Sequence, residues 1–123
     1  INDYGHIGAR HHKEVPYQFK ALAIKKAMDE GAELILWCDS VVYATKSIQP
    51  IFDHIKKHGY IFFDNIGYSI GDYTSDACLA QHGMTREESF NAPMIMACVM
   101  GFDVTRPECK EFLDAYIKAS QDG

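Results

Sequence analysis

The sequence predicts an α/β domain in which a mostly parallel sheet is sandwiched by helices. Short apolar runs alternate along the chain with segments whose apolar residues recur at helical spacing. The longest apolar runs are typical of strands buried on both faces, as in parallel sheets. With 123 residues, 47% of them apolar, the chain is long enough for one domain with a sizeable core.

The first predicted elements are a loop, a helix and a strand. Residues 1–15 are polar and irregular, so we expect an N-terminal loop. Apolar residues at helical spacing predict a helix over 17–30, and Gly31 is placed to end it in the left-handed conformation. The run E-L-I-L-W-C over 33–38 then predicts a buried strand, with Asp39 at its carboxyl end.

The middle of the chain predicts a second helix and strand, then a loop. The apolar pattern over 47–58 predicts a helix that ends at Gly59, and residues 60–63 form a short strand. The Gly, Tyr and Asp content of 64–73 predicts a loop. A short helix over 75–82 follows.

Two capping boxes mark helix starts in the last third of the chain. Thr85 with Glu88 predicts a short helix, and Thr105 with Glu108 begins a final amphipathic helix. Between them, the apolar run 94–102 predicts another central strand of the sheet.

Composition narrows the function classes. The formal net charge of -5 argues against a general binder of nucleic acid or anionic membranes. No apolar run approaches the roughly 18 residues that a membrane span needs. The four cysteines form no C-x-x-C pair, so we expect free thiols and a reducing, cytoplasmic setting. Since the first residue is Ile1, we expect a fragment, a processed product or a chain whose start lies elsewhere.

Two charged residues near the first strand are candidates for chemistry. Asp39 can bind a divalent cation through hard oxygen ligands, with Ser40 assisting at a metal or phosphate oxygen. The alternative is that Asp39 caps a turn or pairs with a nearby lysine. Lys20 can reach a phosphate as a point charge, and its alternative is a solvated surface position.

The segment over 67–76 is a second candidate region. It carries two Asp, two Tyr and two Gly, and such a loop can receive a sugar. Carboxylates accept hydrogen bonds from hydroxyl groups, and aromatic faces pack on the C–H groups of sugar rings. The alternative is a turn in which Ser75 and Asp76 cap the next helix.

Taken together, several segments resemble a GT-A-fold glycosyltransferase, which transfers a sugar from a nucleotide-sugar donor. The similarity covers most of residues 16–119. Its segments are P-Y-Q-F-K (16–20), A-I-K-K-A (23–27), E-L-I-L-W-C-D-S (33–40), I-Q-P-I-F-D-H-I-K-K-H-G-Y (48–60), G-D-Y-T-S-D-A-C-L (71–79) and the strand over 94–103.

The resemblance implies a donor site at the end of the first strand. In this family a D-x-D-type motif binds Mn²⁺ or Mg²⁺ and the donor diphosphate, and here the motif is Asp-Ser-Val, with the first carboxylate present. It implies that Asp39 lies at the metal and diphosphate, with Ser40 beside it. It also implies that Tyr17 and Lys20 lie near the donor phosphates or sugar. The expected partners are a nucleotide-sugar and a carbohydrate acceptor.

The resemblance further implies that Asp72 and Asp76 line the acceptor or donor-sugar pocket, with Asp76 the better candidate for a general base. GT-A domains begin with a βαβ unit, and at most 15 residues precede the first helix here. We therefore expect residues 1–123 to be a single glycosyltransferase-like domain or part of a larger one. The open alternatives are a non-catalytic α/β module that binds carbohydrate or protein, and a structural subunit.

Overall fold

A computed structural model describes residues 4–122 and shows two small sheets with helices packed around them. The elements, in chain order, are a 3-10 turn (Gly5–Ile7), α1 (Gln18–Asp29), β1 (Leu34–Cys38), α2 (Gln49–His58), β2 (Tyr60–Ile61), β3 (Asp64–Ser69), α3 (Ile70–Tyr73), α4 (Asp76–Gln81), α5 (Arg86–Asn91), β4 (Pro93–Ile95), β5 (Val99–Asp103) and α6 (Pro107–Asp122).

Both sheets are antiparallel, so the predicted mostly parallel, Rossmann-like sheet is wrong. The larger sheet has the order β1-β5-β2, and β5 runs antiparallel to each neighbour. The smaller sheet pairs β3 with β4, also antiparallel. Because β1 and β2 both oppose β5, they run in the same direction with α2 between them. The predicted helical crossover from β1 through α2 to β2 is therefore present. However, β5, which comes late in the chain, lies between β1 and β2 in the sheet.

Two predicted segments have a different structure from the one expected. The predicted loop over 64–73 is strand β3 followed by helix α3. The predicted strand over 94–102 is two strands, β4 and β5, that belong to different sheets. Strand β3 has no buried residue, so its sequence lacks the apolar alternation that marks a half-buried strand.

Several predicted helix boundaries are confirmed, but the capping box predicted at Thr105 is wrong: the last helix begins at Pro107, and the Thr105 hydroxyl donates to Asp103 Oδ1. Gly31 and Gly59 follow α1 and α2 with φ angles of +91° and +95°, a conformation that glycine adopts without steric cost. Thr85 begins α5, and both hydrogen bonds of the predicted capping box are present. The Glu88 N–H donates to the Thr85 hydroxyl oxygen, and the Thr85 N–H donates to the Glu88 carboxylate.

The core lies where α1 and α6 cover the larger sheet. Its buried residues include Ile24 of α1, Ile35 of β1, Phe102 of β5 and Leu113 of α6. Only Ile35 is fully buried in β1, so this strand is not buried on both faces as predicted. Packing of α1 against β1 brings the start of the helix to the carboxyl end of the strand. Within residues 4–122, no helix has the length and apolar character needed to cross a membrane.

Candidate functional site

The carboxylate of Asp39 is bound by the ammonium group of Lys20. Asp39 directly follows β1, and Lys20 lies in the first turn of α1. The Lys20 Nζ lies 2.8 Å from Asp39 Oδ1 and 3.0 Å from Oδ2. It also donates to the main-chain oxygen of Ala97 at 3.1 Å. Lys20 thus makes two hydrogen bonds, to Asp39 Oδ2 and to Ala97 O, and a close ionic contact with Asp39 Oδ1.

Trp37 gives the same carboxylate a second partner. Its Nε1–H donates to Asp39 Oδ1 at 2.7 Å. Side chains two positions apart on a strand point to the same face, so the local backbone brings this pair together. The main-chain N–H of Asp39 donates to Cys98 O at 2.9 Å, and its carbonyl accepts from Val42 at 2.9 Å. These bonds hold the carboxylate in one orientation.

Electrostatics keep this carboxylate ionised at neutral pH. Partial burial raises the pKa of Asp39, but hydrogen bonds from Lys20 and Trp37 and the charge of Lys20 together hold it below its ordinary value. The Asp39 side chain is 29% exposed, whereas the Lys20 side chain is 7% exposed. An oriented, charged hydrogen-bond acceptor therefore faces solvent while its counter-ion is buried.

Two aromatic rings flank the ion pair. The Lys20 Nζ lies 5.2 Å from the ring centroid of Tyr17 and 5.8 Å from that of Trp37, within cation–π range. Tyr17 is 60% exposed, and among residues 4–122 it is the one non-glycine residue with a positive φ, at 64°. Such a conformation costs about 1–2 kcal/mol and is enriched at binding sites.

Two open cavities share a wall formed by Tyr17, Lys20 and Asp39. We call these three residues, together with Trp37, the Asp39 site. One cavity has a volume of about 520 Å³ and the other about 350 Å³. The remaining residues that line the first include Tyr4, Phe19, Trp37 and Ser40. Those that line the second include Asn65, Met94, Cys98 and Tyr116. Sugar-sized space therefore exists on both sides of the carboxylate.

Asp72, a predicted acceptor-side residue, caps a helix. Its Oδ2 accepts from the Ser69 N–H at 2.6 Å and from the Ser69 hydroxyl at 2.8 Å, which completes the capping box of α3. These two bonds lower the pKa of Asp72. Asp72 lines a separate cavity of about 440 Å³, together with Tyr68 and Phe90.

Asp76, the predicted general base, forms an ion pair with Arg86. The Arg86 Nε donates to Asp76 Oδ1 at 2.9 Å, and the same guanidinium donates to the carbonyls of Gly71 and Thr74. The Asp76 side chain is 86% exposed. Neither Asp72 nor Asp76 lines the two cavities at the Asp39 site. The structure thus brings together Tyr17, Lys20, Asp39 and Ser40, but not the two downstream carboxylates.

The residues at the Asp39 site do not fit a divalent cation in this arrangement. A hard cation such as Mg²⁺ binds through one or two carboxylates whose oxygens are free to ligate it, together with waters and substrate phosphates. Asp39 is the one carboxylate among the residues lining the two cavities, and both of its oxygens contact Lys20. Within the described part of the chain, no group of three or more His, Cys, Asp and Glu residues is placed to hold a metal.

The sequence analysis missed two contributors to the site. The spacing of Trp37, two positions before Asp39 on a strand, was a usable signal for its contact with the carboxylate. The segment over 94–98 lines the second cavity and accepts from Lys20 through Ala97. The apolar run predicted a strand over 94–102 but not its place at the Asp39 site, which depends on the pairing of β1 with β5.

Comparison of the chain with protein-family models, curated protein sequences and solved structures found no match.

Proposed function

We propose that the chain is a glycosyltransferase-like domain that binds the sugar of a nucleotide-sugar donor at the Asp39 site, for transfer to a carbohydrate acceptor. One observation carries the proposal. An ionised carboxylate, held by Lys20 and Trp37 beside the ring of Tyr17, lies between two open cavities. The resemblance of the surrounding segments to the donor half of GT-A enzymes adds the reaction class.

The chemistry of the carboxylate suits a sugar hydroxyl. An ionised carboxylate accepts about four hydrogen bonds, and Lys20 and Trp37 make three contacts with Asp39. The exposed part of the group is left to accept from a ligand, and a hydroxyl donating to a carboxylate makes a strong, charge-assisted bond. The exposed ring of Tyr17 offers an apolar face to the C–H groups of the same sugar.

Charge neutralisation at Asp39 is the direct test of this site. We expect Asp39→Asn to weaken nucleotide-sugar binding by tenfold or more, about 1.4 kcal/mol, because the charge-assisted bond is lost. Isothermal titration calorimetry with UDP- and GDP-sugars, each with and without Mn²⁺, measures it. The matched control is Asp29→Asn, which removes the carboxylate of the exposed Lys25–Asp29 pair. Unchanged affinity in folded Asp39→Asn protein would contradict the site assignment.

A second candidate is a non-catalytic carbohydrate-binding module. It is favoured by the positions of Asp72 and Asp76, which cap a helix and pair with Arg86 outside the cavities at the Asp39 site. The transferase proposal predicts turnover of a nucleotide-sugar by the purified chain. In the module proposal no turnover occurs with any nucleotide-sugar. Product formation by the purified chain, followed by chromatography, separates the two.

A cytoplasmic location is also part of the proposal. All four cysteines of the chain are described, and each is a free thiol. Free thiols are the common state in a reducing compartment. A nucleotide-sugar and a carbohydrate acceptor are the proposed partners, and the acidic balance of the chain disfavours nucleic acid.

A further inference from the structure

Resting on the proposed function, we infer that the Asp39 site recognises the hydroxyl groups of its sugar without a divalent cation, because the ammonium of Lys20 occupies the place on the carboxylate where a cation binds. The inference sets this chain apart from the Mn²⁺- or Mg²⁺-dependent sites that the family resemblance implies.

A metal ion and Lys20 would compete for the same carboxylate oxygens of Asp39. The Lys20 Nζ lies within 3.0 Å of both Oδ1 and Oδ2 of Asp39. A divalent cation on this carboxylate needs metal–oxygen distances of about 2.0–2.6 Å. Two cations on the same side of one carboxylate repel each other strongly, so the metal binds there only if Lys20 leaves.

Displacement of Lys20 from Asp39 is unfavourable. Its side chain is 7% exposed, and its third contact is the main-chain oxygen of Ala97. The ring centroids of Tyr17 and Trp37 lie 5.2 Å and 5.8 Å from the ammonium. A displaced ammonium would stay buried without the carboxylate, and an unpaired buried charge is expensive.

The hydroxyl groups of the donor, and not its phosphates, are the part that contacts Asp39. The Lys20 ammonium donates to Asp39 Oδ2 and to Ala97 O, and its charge is offset by the carboxylate it contacts, so it offers no unpaired positive charge to a diphosphate. The pair is neutral as a whole, and it presents the exposed carboxylate of Asp39 as an acceptor. Hydroxyl groups of the transferred sugar or of the ribose match this acceptor, whereas a phosphate would be repelled by it.

The test measures metal binding separately from donor binding. Mn²⁺ titrations followed by electron paramagnetic resonance report whether the purified chain takes up the ion. We expect no Mn²⁺ bound at Asp39 in the wild type, and donor affinity that is the same with Mn²⁺ or with EDTA. We expect Lys20→Met, which keeps the apolar stem, to gain Mn²⁺ binding that the double variant Lys20→Met/Asp39→Asn loses. Lys25→Met, in an exposed ion pair, is the matched control.

The outcomes separate this inference from the proposed function. Donor binding that EDTA abolishes and Mn²⁺ restores, or Mn²⁺ uptake by the wild type that Asp39→Asn removes, overturns the inference and leaves the proposed function intact. Donor binding absent under both conditions overturns the proposed function instead. If Lys20→Met does not fold, as judged by circular dichroism, Lys20→Gln provides the same comparison with a neutral hydrogen-bonding side chain.

Discussion

At the residue scale, the Asp39 site depends on one acid whose charge the fold stabilises. Lys20 and Trp37 both donate to it, and its pKa is held below its ordinary value. Asp103 is a second such acid. The hydrogen bond from Thr105 lowers its pKa, aided by Arg106 and opposed by burial. Both acids favour the folded state when ionised.

These two acids predict the pH dependence of stability. A carboxyl group whose pKa is depressed on folding binds protons more readily in the unfolded chain, so its contribution is complete above the unfolded pKa of about 4. It is lost as the pH falls below 4, through the lower pKa of the folded state. Urea unfolding at a series of pH values between neutral and acid measures this.

The matched variants for the pH series are Asp39→Asn and Asp103→Asn. We expect each to be less stable than the wild type at pH 7, with the difference narrowing as the pH falls below 4. A wild-type stability that stays constant through this acid range would contradict the prediction. Asp29→Asn, at an exposed pair, serves as the control and is expected to follow the wild type.

Tyr17 carries backbone strain at the Asp39 site. Its φ of 64° costs a residue with a side chain about 1–2 kcal/mol, whereas glycine adopts it freely. We therefore expect Tyr17→Gly to be more stable than Tyr17→Ala by about 1 kcal/mol, although both lack the ring. Urea denaturation compares the two, and calorimetry is expected to show weakened sugar binding in both. Equal stability of the two variants would show that the left-handed conformation carries no strain.

At the element scale, β5 is packed tightly against its neighbours at Gly101. A Cβ added there would lie 2.8 Å from Ile61 Cγ2 and would also overlap the side chain of Ile55, which is fully buried. The contact explains why a glycine stands in the middle of the central strand. It lets α2 approach the sheet closely, which closes the crossover between β1 and β2.

Adding a methyl group at this contact is therefore expected to destabilise the fold. We predict that Gly101→Ala costs about 1–3 kcal/mol of the free energy of unfolding. Ile55→Val, which shortens the opposing side chain, costs about 0.5–1.5 kcal/mol alone. In the double variant the two costs are expected to sum to less than their separate values, because the smaller side chain makes room for the methyl group. If the two losses of unfolding free energy, measured by urea denaturation, add exactly in the double variant, the contact between positions 101 and 55 is contradicted.

Elements with local signals were predictable from the sequence, and those without were not. The capping box at Thr85 and the glycines after α1 and α2 act within one turn of chain, and they lie where the sequence predicted. Strand β3 was predicted to be a loop, because it is exposed and its register with β4 is irregular. Its strand conformation depends on a partner more than 20 residues away.

At the scale of the whole molecule, the error in fold class has one cause. Alternating helices and strands indicate how consecutive elements are connected, and β1, α2 and β2 do form that connection. The alternation does not say which strands are hydrogen-bonded. Strand β5 lies between β1 and β2 and reverses the direction of both pairings.

At the candidate site, too, local features were predictable from the sequence and tertiary contacts were not. The motif order placed Asp39 at the end of a strand, and Lys20 in the first turn of the preceding helix follows from the helix start. Pairing of Asp39 with a nearby lysine was one of the alternatives open from the sequence, whereas the alternative for Lys20 was a solvated position, which its burial contradicts. Their actual contact requires the packing of α1 against β1, and the separation of Asp72 and Asp76 from the Asp39 cavities is likewise a tertiary property.

The sequence by itself determined the ends of α1 and α2, the strand that Asp39 follows and the acidic balance, because caps, apolar runs and charge act within a few residues. Only the tertiary structure decided the antiparallel sheet and the partner of Asp39. Both depend on contacts between distant segments, where burial and strand pairing outweigh local preference. The buried position of Lys20 beside Asp39 belongs to this second group.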